Sequence, residues 1–167
     1  PVIQHEVDEC TVFGQVALAQ GGLSSLGISR NRLGELHIRI DGENVRSAAQ
    51  LAETLPLQLI NPDSFRLLEG VPKIRRQFLD WGVFHVEPDF LEAWRRYQRA
   101  LRQRNALIRE RAPDDWFKPW ELEMASAWQR ISAARSQHAD FLGQKVATNA
   151  ATLMPGFAGA RLNYLSG

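Results

Sequence analysis

Two stretches of apolar residues spaced alternately by three and four, on either side of a proline-containing break, constrain this chain more than any other feature. The first holds Phe90, Trp94, Tyr97 and Leu101, with Ile108 one heptad beyond Leu101 and Arg104 as a polar interruption. The break is Arg111-Ala112-Pro113-Asp114-Asp115. The second stretch starts near Asp115 or Pro119 and carries Phe117, Trp120, Met124, Ala127, Ile131, Ala134, His138 and Phe141. Spacing of this kind puts one apolar stripe on each of two helices. A short Pro-Asp turn between them predicts an antiparallel hairpin packed through a coiled-coil-like seam. At 1.5 Å per residue the second arm is on the order of 40 Å long, and Pro155-Gly156 is expected to end it.

The stretch before the hairpin is punctuated by prolines. Pro56-Leu57-Gln58-Leu59-Ile60 reads as a short buried strand that stops at Asn61-Pro62. Pro62, Pro72 and Pro88 each suit a helix start, where a missing N–H costs nothing, and Gly70 closes the segment between the first two. This region reads as a junction between a sheet and a helical arm.

Towards the N-terminus the period changes from 3.6 to 2. Val12, Val16 and Leu18 alternate loosely over Thr11 to Gln20, and Gly21-Gly22 breaks the run. An extended pattern resumes over 23–29, and 30–34 is a polar turn. Leu36, Ile38 and Ile40 alternate strictly, and Asp41-Gly42 supplies hairpin-turn chemistry. Ser47 is a plausible N-cap for a helix over 48–55. The fold class is therefore α+β: an antiparallel meander followed by a long helical hairpin.

A chain of 167 residues with 44% hydrophobic and 23% charged content can bury a real core and is ordinary for a globular domain. A net charge of +1 gives no global sign of nucleic-acid binding, so any such signal must be local. Cys10, the lone cysteine, rules out an intrachain disulfide or a cysteine-based zinc site and suits a reducing cytosol. No apolar run has the length of a membrane span. A start at Pro1, without Met and strand-like by Thr11, points to truncation or processing rather than a signal peptide.

Several motifs look chemical and fail on inspection. Gly22-Leu23-Ser24-Ser25-Leu26-Gly27-Ile28-Ser29 has P-loop spacing, but Ile28 stands where the lysine belongs and no helix follows. His5, His37, His85 and His138 are isolated, and His138 on the seam reads as core. Glu6, Asp8 and Glu9 read as a solvated turn. No catalytic or metal-binding constellation emerges.

The arginines carry more. Arg75 and Arg76 lie in the junction, and Arg95, Arg96, Arg99, Arg102, Arg104, Arg109 and Arg111 crowd the first long helix, where Glu92 and Glu110 are the only acids after Asp89. Arg95, Arg99 and Arg102 share one flank outside the seam. A face paired with Glu121 and Glu123 explains them as well as a phosphate-tracking stripe for duplex DNA. The aromatics lie in the seam, which argues against a stacking platform for single strands. Around Arg75, Arg76 and Asp80, a charged tie between helices competes with any functional role.

The pattern Asn61-Pro62-Asp63, then Leu68-Glu69-Gly70-x-Pro72-x-x-Arg75-Arg76-x-Phe78-Leu79-Asp80, then Gln103-Arg104-Asn105 resembles the RecF family of bacterial recombination and replication-repair proteins. Weaker similarity runs from Val2 to the end. That resemblance implies an internal piece of an SMC-like, ABC-type ATPase, with Walker A before Pro1 and the signature and Walker B segments after Gly167. Residues 1–70 would belong to the ATPase lobe, 71–157 to a helical domain, and 158–167 to a strand returning to the lobe. Gln58 and Asp63 would match a Q-loop near ATP and magnesium in the intact protein, with no turnover expected from this stretch alone. The resemblance further implies a cytoplasmic, ATP-dependent homodimer that binds duplex DNA near single-strand/double-strand junctions. With RecO and RecR it would help load RecA. Under this reading Arg95, Arg99, Arg102 and Arg96 contact DNA, and Arg75, Arg76 and Asp80 brace the joint. The alternative is a hairpin that serves mainly as a protein-interaction or dimerisation arm, suggested by Trp94, Trp116, Trp120 and Trp128.

Overall fold

Alternation of apolar and polar residues in the first forty residues produces a four-stranded antiparallel sheet in the computed structural model, which describes residues 3–154, 156, 159 and 161–166. The strands are β1 (Glu9–Ala17), β2 (Leu23–Asn31), β3 (Leu36–Ile40) and β4 (Glu43–Val45), paired in sequence order. Register places Val12, Ile28, Ile38 and Val45 in one row across the sheet. Leu26 and Ile38 are its buried apolar residues. The β3–β4 turn is Asp41-Gly42, with φ of 51° and 86°, and two left-handed residues match the twist of a tight hairpin. The Asp41 carboxylate also accepts from Ser25 N–H (2.7 Å) and the Ser24 hydroxyl (3.0 Å), tying the turn to β2. Ser47 caps α1 (Ala48–Thr54) by accepting from Ala49 N–H at 3.2 Å.

The strand expected over 56–60 is absent. Those residues are exposed and form no regular structure, with Leu59 and Ile60 76% and 84% exposed. A strand exists only by pairing, and β1 to β4 pair with one another and leave this run without a neighbour. Pro56 would in any case have no N–H to offer a ladder.

The compact units divide between Ile60 and Asn61. The boundary expected at residue 70 falls inside the second unit, because the 3-10 turn Pro62–Phe65 packs on α2 (Arg66–Glu69), and α2 packs on α3 (Pro72–Val86). Pro62 and Pro72 occupy first-turn positions, as their missing N–H groups favour. The hairpin follows as α4 (Phe90–Arg109) and α5 (Lys118–Leu153). The C-terminus of α4 is closed by Arg111 N–H to Ile108 O (3.2 Å) and Ala112 N–H to Leu107 O (3.0 Å), a Schellman pairing with Arg111 at φ 51°. α5 ends at Leu153, and Pro155 lies outside the described residues. Residues 161–166 are neither helix nor strand, and the other residues of the expected return strand, except Gly159, also lie outside the described set.

The seam differs from expectation by one position. Ala93 and Ala100 are the buried residues of α4 after Phe90, while Trp94 is 39% and Ile108 50% exposed. On α5 the buried line is Ala127, Ile131, Arg135 and Ala139, every fourth residue, and Phe141 is exposed. Small side chains let two helix axes approach, and a bulky indole is then turned to the rim. The core cluster is Val83, Phe90, Ala93 and Ile131, ringed by Leu79, Phe84, Tyr97, Trp128 and Ala134. Removing the Ile131 side chain to Ala would cost about 2–5 kcal/mol at so buried a site.

Candidate nucleic-acid interface

Spacings of four and three put Arg95, Arg99 and Arg102 on one flank of α4, and all three are exposed. None of them belongs to an ion pair among the described residues. Their neighbours on α4 behave differently. The Arg96 guanidinium forks onto Glu123 of α5 through bonds of 2.6 and 2.9 Å. Arg104 donates to Glu121 at 3.1 Å, with its guanidinium 6.0 Å from the Phe117 ring centre. The Glu123 hydrogen bond, more than its charge, raises the Arg96 pKa, and the same bond lowers that of Glu123. The expected pairing with Glu121 and Glu123 therefore occurs, but it engages Arg96 and Arg104. Arg96 clamps the hairpin, and Arg95, Arg99 and Arg102 remain facing solvent. Arg109, seven residues beyond Arg102 and also exposed, extends the line. From Arg95 to Arg102 the helix rises about 10 Å, on the order of three base-pair steps of duplex.

The joint beneath the hairpin separates the roles of Arg75, Arg76 and Asp80. Arg75 donates to Gly70 O at 2.7 Å and Leu67 O at 3.5 Å, closing the C-terminus of α2. Arg76 is exposed. Asp80 receives a fork from Arg135 of α5, at 2.6 and 2.8 Å. Arg135 is only 6% exposed, and its guanidinium lies 5.4 Å from the Trp128 ring. Burial opposes its charge, but Asp80, and secondarily Tyr164, outweigh burial and raise its pKa. In the sequence Arg135 is marked only by its place in the every-fourth line with Ala127, Ile131 and Ala139, where a charged residue demands a partner.

His138 packs against Gly82, and burial lowers its pKa against the weaker pull of Glu87. His85 is boxed edge-on by Trp81 (4.4 Å) and Phe84 (5.0 Å), with Nε2 buried and without a hydrogen-bond partner. Both histidines are packing residues.

Gln58 and Asp63 form no cradle within this chain. Gln58 is exposed, with its amide 3.4 Å from Leu59 O, and Asp63 is exposed in the first turn of the 3-10 segment. Among the described residues no cluster of three or more His, Cys, Asp or Glu could hold a metal. Gly22–Ser29 is mostly strand β2, so it is no phosphate loop. These residues do not themselves fit a nucleotide with magnesium. Among the described residues no helix is long and apolar enough to cross a membrane.

No family model matches the chain. It is similar to the DNA replication and repair protein RecF of Pseudomonas fluorescens, 67% identical over 136 residues, covering 81% of this chain and 37% of that protein. RecF of Azotobacter vinelandii is 62% identical over 143 residues, covering 85% and 39%. The fold matches a solved structure of the recombination mediator protein RecF-ATP in the RecFOR pathway, with a TM-score of 0.81, 16% identity, and coverage of 92% of this chain and 42% of that one. At that identity the structural match speaks for the fold alone. The chain spans little more than a third of these curated relatives. With 62–67% identity to them over more than four-fifths of its own length, and with the same fold, it belongs to the RecF family.

Proposed function

We propose that this chain is the helical arm, with part of the sheet lobe, of an ATP-dependent DNA-binding protein in recombinational repair and replication restart. Its arginine stripe contacts duplex phosphates near gaps and single-strand/double-strand junctions. The observation that carries this reading is the separation of arginines on α4: Glu123 and Glu121 engage Arg96 and Arg104 and leave Arg95, Arg99 and Arg102 turned outward. Exposed guanidinium groups at this spacing suit phosphate oxygens and read no bases. The relatives' name, DNA replication and repair protein, supports the same direction.

In the longer protein ATP and magnesium would be held chiefly by residues beyond this stretch, with Gln58 and Asp63 approaching them from this side. ATP-dependent homodimerisation, action with RecO and RecR in loading RecA, and a place in the bacterial cytoplasm complete the reading. This chain alone is expected to show no ATP turnover, and hydrolysis by the purified chain would contradict that. The binding test is duplex affinity at low salt. Reversing Arg95, Arg99 and Arg102 to Glu should weaken it by roughly tenfold or more, while Arg96→Gln should leave it within about twofold. Equal losses from both variants would overturn the stripe.

Trp116, 61% exposed at the hairpin turn, favours a second reading in which the arm docks a protein partner such as RecR. Crosslinks to RecR confined to the hairpin, with no duplex affinity, would select that version.

A further inference from the structure

One exposed aromatic lies on the sheet, away from the hairpin: Phe13 of β1 is 68% exposed. Register places it in a row with Gly27 of β2, Arg39 of β3 and Asn44 of β4. Successive side chains of a strand point to opposite faces, so this row turns away from the face of Val12, Ile28, Ile38 and Val45. The rows beside it add Thr11, Ser29 and His37 on one side, and Gln15 with Ser25 on the other. Across these three rows the face holds no carboxylate and one permanent cation, Arg39, which is exposed. Acids stand only at its ends, and each is already engaged there. The Thr11 hydroxyl donates to Glu9 at 3.3 Å and the Asn31 amide to Glu35 at 2.6 Å, while Asp41 accepts from Ser24 and Ser25. The face therefore complements a polyanion and nothing of positive charge.

Gly27 puts no side chain between Phe13 and Arg39. Neighbouring strands lie about 4.8 Å apart, so the bare floor between those two side chains is about 10 Å across. A Cβ on Gly27 would meet nothing nearer than Arg39 Cβ, at 3.9 Å, which shows the floor to be open. A planar base standing against the Phe13 ring fits there. Arg39 Nε donates to Asn44 Oδ1 at 3.1 Å. That bond holds the guanidinium over the sheet and leaves its terminal nitrogens to meet phosphate oxygens. Bases inside a duplex are stacked on one another and cannot offer a face to a side chain, whereas unpaired bases can. We propose that this face of the sheet binds single-stranded nucleic acid, with Phe13 stacking an unpaired base over Gly27 and Arg39 holding the adjoining phosphate. Every base has a π-face, so the site tolerates any sequence. The inference stands on the sheet alone and does not depend on the α4 stripe.

The test measures binding of a fluorescent oligothymidylate of about ten nucleotides at low salt. The background is the full chain with Arg95, Arg99 and Arg102 changed to Gln, so that the α4 stripe cannot mask the result. Phe13→Ala should weaken binding by roughly 5- to 150-fold, the loss expected for one base–aromatic stack, and Phe13→Trp should retain it. Gly27→Val suits a strand but fills the floor, and should weaken binding by a comparable factor. Arg39→Gln should lower the slope of log K against log salt by about 0.7, the value of one single-strand phosphate contact. An abasic oligomer of the same length should bind the Phe13→Ala and background proteins equally. With the stripe intact, Phe13→Ala should leave duplex affinity unchanged. The proposal is overturned if the oligothymidylate does not bind, or if Phe13→Ala and Gly27→Val leave its affinity unchanged. It is equally overturned if Phe13→Ala weakens duplex binding as much. Competition by thymidine monophosphate as effective as that by the oligomer would also contradict it, since the face would then be a mononucleotide pocket.

Discussion

Gly82 of α3 lies against the imidazole of His138 on α5, so closely that a Cβ on the glycine would overlap Nε2. In an exposed helix interior Gly→Ala gains about 1 kcal/mol. Here the added methyl forces the ring or the helix to move, and overpacking of this kind costs about 1–3 kcal/mol. Gly82→Ala should therefore destabilise the chain in denaturant titrations and become stabilising in a His138→Ala background. A stabilising effect in both backgrounds would show that the two helices do not meet there.

Burial lowers the His138 pKa, so between the folded value and the ordinary value of about 6.5 the unfolded chain holds more protons than the native one. Stability from this residue is complete above about pH 6.5 and is lost as pH falls from there through the folded value. Melting temperature should drop on going from pH 7.5 to 5.5, and His138→Gln should flatten that dependence. Equal slopes for the two proteins would contradict the assignment.

Arg135 and Asp80 form the charged pair within the α3–α5 contact. Asp80→Asn leaves a buried guanidinium without its counter-charge, and breaking such a pair costs about 3–5 kcal/mol. Replacing both at once, as Asp80→Leu with Arg135→Met, should recover most of the loss, since apolar groups of similar volume replace buried pairs with little penalty. Denaturation midpoints of the three variants read this out.

Arg111 holds φ 51° at the end of α4, a conformation that costs a residue with a Cβ about 1–2 kcal/mol. Arg111→Gly relieves that cost and adds backbone entropy to the unfolded state. The net expectation is stabilisation of up to about 1 kcal/mol, measured by thermal melting.

Local chemistry was legible wherever it was self-contained. Asp41-Gly42 needed only its own dihedral preferences to announce a hairpin, Ser47 only its hydroxyl to announce a cap, and Pro62 and Pro72 only their missing N–H groups. What failed depended on neighbours. Leu57, Leu59 and Ile60 look like a buried strand, but a strand needs a partner that these sixty residues do not supply. Trp94 outranks Ala93 by hydrophobicity, yet close helix approach favours the alanine. Arg96 and Arg95 are indistinguishable in sequence, and only the position of Glu123 separates the clamp from the stripe. Arg135 was missed because its partner, Asp80, is fifty-five residues away.

The stripe itself is tested most directly by the salt dependence of duplex binding. Each phosphate contact adds about 0.9 to the slope of log K against log salt. The chain with Arg95, Arg99 and Arg102 reversed to Glu should lose about two to three units of that slope, while Arg96→Gln should keep the parent value. An unchanged slope in the triple variant would contradict the account.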